Sequence, residues 1–305
     1  AGWSFLMPYL DAVPVFVFSR EVYAPSSGPR DRLVVIQPSS DAFSPMNQDK
    51  APETVRDILG RLGLLCCPEV QNGQTHYTRL DGTPGRVERG ADLIRLGRGP
   101  TADTPLVVQV SRWDPLKDMI GVMHGFTRSI DGGVPGDAQL VLAGPNVTAV
   151  ADDPEGPAVV QELLQAWFKL PHSARERITL AMLPTTDVDE NAAIVNALQR
   201  HATVVVQKSL HEGFGLTVTE AMWKGRAVMA SRVGGIQDQI QHGVSGILLD
   251  DPTDLDSFAG HLKELLTQPA KTEALGRAAK ERVREQFLGL RHLLQYGAVI
   301  ERLLG

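Results

Sequence analysis

The sequence is short of cysteine. Its only two cysteines, Cys66 and Cys67, are neighbours. Adjacent cysteines cannot build a long-range disulfide framework, and a bridge between them is strained. Reduced thiols are expected, as in a cytoplasmic protein. Long apolar runs are also missing: none approaches the roughly 20 residues needed to cross a bilayer. The amino terminus lacks the basic region, apolar core and small-residue cleavage site of a secretory signal. A cytoplasmic location without membrane attachment is therefore the expectation. Positive charge is not in excess either, with a formal net charge of −6. That argues against a nucleic-acid partner, because phosphate-backbone affinity comes mainly from clustered Lys and Arg. Fixed-period repeats and low-complexity tracts are absent, apart from one Gly/Pro/Arg-rich stretch.

What remains is an ordinary globular composition, 43% hydrophobic over 305 residues, enough to bury one or two cores. WSFLMPYL at 3–10 predicts a short helix interrupted by Pro8. VPVFVFS at 13–19 reads as a strand covered on both sides, and LVVIQ at 33–37 as a second apolar run. APETVRDILGRL predicts a helix over about 52–62, with proline near its start. Between about 66 and 103 the chain turns rich in Gly, Pro and Arg with no sustained period, and reads as a linker or surface insertion.

From 105 onward strands and helices alternate. PLVVQVS, AQLVLAG, RITLAML, TVVVQ, AVMAS and GILLD are the strands, and helical patterns fill the intervals. Such alternation means parallel strands with crossover helices: an α/β fold with a Rossmann-like parallel sheet flanked by helices, open at the carboxyl ends of its strands. The expected organisation is a remnant of a preceding domain at 1–40, a linker or insertion at 41–103, a ligand-binding sheet domain at 104–285 and a terminal helix at 286–305.

Two segments carry chemistry. In HEGFGLTVTEAMWKG at 211–225, Glu212 and Glu220 stand seven residues apart across a glycine-bracketed turn that opens a helix. Gly213 and Gly215 allow close backbone approach, and the amides of Phe214, Leu216 and Thr217 at the helix start suit phosphate oxygens. Glu220 can accept two hydroxyl hydrogen bonds side by side. The plainer alternative is a solvated Glu212 and a Glu220 ion-paired with Lys224 on the helix surface. In SRWDPLKD at 111–118, Arg112 and Lys117 follow a strand directly, at the edge where such sheets bind ligands. A guanidinium fork and a mobile ammonium suit a diphosphate, and could replace a divalent metal. A solvated turn is the alternative. Gly234 and Gly235 fit a tight strand-to-helix turn. Asp152, Asp153 and Glu155 are read as turn residues around Pro154 and Gly156, so no metal site is expected.

Both segments, in this order and about a hundred residues apart, resemble family 4 of the retaining glycosyltransferases, which have the two-domain GT-B fold. SRWDPLKD, ADDPEGP at 151–157 and SLHEGFGLTVTEAMWKGRAVMASRVGGIQDQI at 209–240 are similar to its trehalose synthase branch, with trehalose phosphorylases as relatives. WSFLMPYLDAVPVFVFSREVYAP and QPSSDAFSPMN resemble the end of that branch's amino-terminal domain, whereas the insertion at about 66–103 departs from its pattern. The resemblance implies that the chain is the donor-binding part. It implies that Arg112 and Lys117 hold the diphosphate, that Glu220 takes the ribose hydroxyls, and that Glu212 and the amides of Phe214, Gly215 and Leu216 face the sugar and distal phosphate. It also places base contacts near Leu183. ADP- or UDP-glucose is the implied donor, a sugar the implied acceptor, and no cofactor is required. His211, beside Glu212, is weighed as a general base and set aside, because that chemistry is described without a protein nucleophile. The resemblance further implies that ERVREQF and LRHLLQYGAVIERLL cross back toward the first domain. Leu293, Leu294 and Ile300 would then lack their usual cover, which makes a homo-oligomer an expectation.

Overall fold

The computed structural model of the chain describes residues 2–26, 28, 30–66, 73–147 and 155–305. The first part holds α1 (Gly2–Leu10), β1 (Phe16–Phe18), β2 (Leu33–Val35) and α2 (Pro52–Arg61). It continues with β3 (His76–Thr78), β4 (Pro84–Arg86) and β5 (Asp92–Ile94). The alternating part runs β6 (Leu106–Val110), α3 (Met119–Asp131), β7 (Gln139–Pro145), α4 (Gly156–Lys169), α5 (His172–Arg175), β8 (Ile178–Leu183), α6 (Val188–His201) and β9 (Val204–Gln207). It ends with α7 (Leu216–Trp223), β10 (Ala227–Ser231), α8 (Ile236–Gln239), β11 (Ile247–Leu249), α9 (Leu255–Thr267), α10 (Pro269–Gln286) and α11 (Gly289–Leu304).

The main sheet has seven strands in the order β11-β10-β9-β6-β7-β8-β5, all parallel except β5, which pairs antiparallel with β8. Its central strands read as unbroken apolar runs because both faces are covered. In β6, Leu106, Val108 and Val110 point into a core shared with α2, α6, α7 and α10. Val107, between them, points into a second core under α3, α4 and α9. The strand order fixes where a ligand can sit. From β6 the chain winds outward through β7 and β8, then returns so that β9 lies on the other side of β6. At this reversal the loops after β6 and β9 diverge from adjacent strands to opposite faces, leaving a crevice at the carboxyl edge.

Two sequence expectations change here. The strand at 13–19 is not doubly covered: β1 pairs only with β2, and both are half-buried to exposed. Part of the stretch read as linker folds onto the domain. Its β5 extends the main sheet, and Glu190, itself 2% exposed, accepts from the amides of Glu88 and Arg89 at 2.7 and 3.0 Å. A three-residue strand surrounded by glycines and arginines carries no period that a sequence window can detect. Between α10 and α11 stands Phe287, which is 1% exposed. Its carbonyl accepts from the Ser40 amide at 2.8 Å, and α11 then runs back against the first residues through Arg302 and the Asp31 carbonyl, 3.0 Å. Cys66 is half-buried, and Cys67 lies outside the described residues, as do Asp152 and Asp153. No helix among the described residues is long and apolar enough to cross a membrane.

Candidate functional site

The two loops at the crevice are stitched together from below. Gln109, buried on β6, donates to the Lys117 carbonyl at 2.7 Å and accepts from the Lys208 amide at 3.1 Å. Leu210 N donates to Leu116 O at 2.8 Å. Trp113, 1% exposed, anchors the first loop by donating to Pro145 O at 2.6 Å. Asp118 takes a left-handed conformation, φ 47°, which aspartate tolerates better than most residues. From there its side chain caps α3 at the Gly121 amide, 3.0 Å, and pairs with the buried ammonium of Lys208.

This framework brings Lys117 and Glu212 into contact. The ammonium lies 2.5 Å from Glu212 Oε2, with the two side chains 14% and 15% exposed. Ser209 Oγ is a further donor to the same oxygen at 3.4 Å. Glu212 is therefore not the solvated loop residue of the plainer alternative. Arg112 does not join the pair: its side chain is 71% exposed, with Asp114 as its ion partner at 3.8 Å.

Gly215 caps α7 at φ 86°, and an added Cβ would meet Ile236 Cγ1 at 2.8 Å, so only glycine fits. At Gly213 a Cβ would meet nothing within 4 Å, so the fold itself does not require glycine there. The α7 start has no side-chain cap, so the first-turn amides of Leu216 and Thr217 have no intrahelical acceptor. Phe214 is buried against Phe287, and its carbonyl accepts from Gln239 Nε2 at 2.5 Å. The turn at Gly234 and Gly235 presses on the same loop, Gly235 N donating to Gly213 O at 2.8 Å. Tyr23, from the first segment, reaches over and donates to Gly213 O at 2.7 Å.

Glu220 sits one turn into α7. Its carboxylate makes no ion pair with Lys224, whose ammonium is buried and donates instead to the Glu220 carbonyl and to Asn47 Oδ1, each at 3.1 Å. The surface ion pair of the plainer alternative is thus replaced by a buried lysine facing the first segment. Burial raises the Glu220 carboxyl above its ordinary range, against the pull of the Lys224 charge. Burial lowers Lys224 to about 7, against the pull of Glu220. Leu183 ends β8, is 1% exposed, and its carbonyl accepts from Asn146 N at 2.8 Å. His211 is exposed on the loop.

The Lys224 shift has a measurable consequence. A lysine with an ordinary value of 10.5 that titrates near 7 when folded binds its proton more weakly in the native state. Stability then rises with pH between about 7 and 10.5. Glu220 has the opposite sign: its contribution is complete below 4.5 and is lost as pH climbs through its raised folded value. Denaturant unfolding at a series of pH values should show the parent chain gaining stability above pH 7 relative to Lys224→Met. Parallel curves would contradict the assignment.

Residues 102–282 match the profile of the family described as Glycosyl transferases group 1. The trehalose synthase of Rubrobacter xylanophilus is 33% identical over 302 residues, covering 99% of this chain and 60% of that protein. The trehalose phosphorylase of Pleurotus pulmonarius is 26% identical, covering 93% of this chain and 35% of that protein. Among solved structures, Anabaena HepE in complex with UDP and glucose aligns with a TM-score of 0.66 at 17% identity, over 95% of this chain and 63% of that one. The likeness shows a shared GT-B fold. The chain spans about 60% of the length of the trehalose synthase it matches.

Proposed function

The chain belongs to the group 1 glycosyl transferases, and from that premise we propose that it binds the donor in a retaining transfer of glucose. The glucose moves from a nucleoside diphosphate glucose to a sugar acceptor, with free glucose giving trehalose. The observation that carries this reading is the Lys117–Glu212 contact at the strand-order reversal. In this reading the ammonium leaves Glu212 for the diphosphate, the Arg112 guanidinium swings in from solvent to grip two oxygens, and the amides of Phe214, Gly215, Leu216 and Thr217 take the distal phosphate. Positive charge then stands where the leaving group gains negative charge, the place a divalent cation fills in other sugar-transferring folds. Glu220 takes the ribose hydroxyls, Glu212 the transferred sugar, and the Leu183 backbone the base. The departing phosphate assists the incoming hydroxyl on the same face. The base is left open among uracil, adenine and guanine; UDP in the HepE complex favours the first.

Two other readings stand beside it. Similarity to trehalose phosphorylases favours phosphorolysis through the same donor-side residues. A silent nucleotide-sugar-binding module would keep the same donor-side residues and turn nothing over. Incubating the protein with trehalose plus a nucleoside diphosphate, and separately with trehalose plus inorganic phosphate, discriminates among them. The proposal expects nucleoside diphosphate glucose from the first mixture only. Glucose 1-phosphate from the second would establish the phosphorylase. Donor binding with no product in either would favour the silent module.

The face of α11 bearing Leu293, Leu294 and Ile300 is 53–68% exposed. We propose that it drives self-association. Light scattering should show mass rising with concentration, and Leu293→Glu should reduce the rise. A strict monomer at high concentration would contradict it.

A further inference from the structure

At the amino edge of the sheet, opposite the donor crevice, a second cluster of charge has no role in glycosyl transfer. Asp103, His201 and Arg226 stand just ahead of β6, β9 and β10, three adjacent strands. With Lys50, Arg56 and Arg200 they line a cavity of about 260 Å³, closed on one side by the first turn of α2 through Pro52 and Val55. Arg200 is held by the Asn47 and Gln48 carbonyls and by Asp49 at 2.9 Å, while Arg56 pairs with Glu53 at 3.1 Å. The rest are only partly satisfied: Arg226 Nη1 donates to the Ala202 carbonyl at 3.3 Å, and the Lys50 ammonium stands over the Tyr77 ring, 5.6 Å from its centre. Lys50 Nζ, Arg226 Nε and His201 Nε2 are buried with no hydrogen-bond partner. Burial, and after it the neighbouring positive charge, disfavours their protonated forms. Burial and the Arg200 charge hold Lys50 down at about 8 and lower Arg226, and burial, Arg226 and Arg56 lower His201. Asp103 is the only acid in the lining.

Buried donors left unpaired cost free energy, and cations that outnumber the one carboxylate of the lining, Asp103, cost more. One guest relieves both: an anion with several acceptor oxygens. The α2 amino terminus, where Ala51 supplies no side-chain cap, adds free amides and the positive end of the helix dipole. The volume falls below the roughly 300–1,000 Å³ typical of sites for drug-sized ligands. We propose that this cavity is a binding site for a small tetrahedral oxyanion of the phosphate class, separate from the donor site. Lys50, Arg226, His201 and the α2 amino terminus supply its donors. An anion there joins the 47–56 segment to α6 and to the edge of β9 and β10, so occupancy stabilises the fold by mass action.

Calorimetric titration with inorganic phosphate, at ionic strength held constant with chloride, tests this. One saturable site is expected. Lys50→Gln and Arg226→Gln should each weaken binding at least about tenfold, the loss of one charge-assisted hydrogen bond. Lys117→Met, on the opposite edge, should leave it unchanged. In chloride alone Lys50→Gln should melt no lower than the parent, because the buried cation it removes has no hydrogen-bond partner, yet it should lose the rise that phosphate gives. Those two signs separate loss of the site from misfolding. A hexose monophosphate titrated alongside assigns an esterified phosphate if it binds more tightly and the free anion if it does not. No saturable phosphate binding, an undiminished response in both site variants, or a response lost in Lys117→Met, overturns the proposal.

Discussion

Replacing Lys117 with methionine is expected to weaken nucleoside diphosphate binding at least about tenfold and to lower transfer by roughly 10²–10³-fold, with a loss of only a few degrees in Tm. The large effect follows from position. Lys117 is a cation at the crevice that lies 2.5 Å from a carboxylate and can turn to a ligand without moving backbone, because Gln109 fixes its carbonyl from below. The small effect on stability follows from exposure. Both partners keep about 15% of their side-chain surface, and Ser209 stays near the orphaned Glu212, so the penalty is far below that of a fully buried pair. A parent-like turnover in Lys117→Met would remove this residue from the mechanism. A collapse of Tm would make it structural. Kinetics and thermal unfolding on one preparation separate the two.

The second large effect is expected at Gly234. Its φ of 49° is left-handed, and a Cβ built there would lie 1.8 Å from the carbonyl oxygen of Glu212 and 2.7 Å from its carbonyl carbon. Both are backbone atoms, so no side-chain rotation relieves the clash. Gly234→Ala must push the Glu212 loop or the β10–α8 turn aside. A cost of about 3 kcal/mol is expected from overpacking plus backbone strain, which corresponds to a Tm lower by roughly 6 °C or more. Donor binding should fall with it, because the displaced loop carries Glu212 and the α7 amino terminus. Gly213→Ala, next to Glu212 in the chain but facing open space, is the control and should keep the parent Tm. Equal melting temperatures for both variants would show that the Gly234 contact does not constrain the loop.

Much of the architecture was legible because parallel strands covered on both faces must be continuous apolar runs. Each of β6 to β11 coincides with such a run, LVVQV and AVMAS among them. The position of the site followed from the same rule, since Arg112 and Glu212 come just after runs that became β6 and β9. What the pattern could not supply was adjacency. Nothing local says that β9 returns to lie beside β6, and the Lys117–Glu212 contact depends on that return. The supports were hidden for a related reason. Gln109 and Lys208 are polar residues in or beside apolar strands, and a side-chain hydrogen bond between residues 99 apart in the chain has no sequence period. Tyr23 and β5 fell in segments that read as remnant or linker, because strands of three residues are shorter than any window that measures periodicity. The buried Lys224 looked like half of a surface pair because helical spacing alone does not reveal that the facing surface is covered by Asn47.

The central claim is that Arg112 and Glu220, which do not touch in the unliganded chain, close on one ligand together with Lys117 and Glu212. Calorimetric titration of uridine, adenosine and guanosine diphosphate into the chain, into Arg112→Ala and into Glu220→Ala tests it most directly. Saturable binding of at least one of the three is predicted, weakened about tenfold or more in each variant. Unchanged affinity in both variants, or no binding of any of the three, would contradict it.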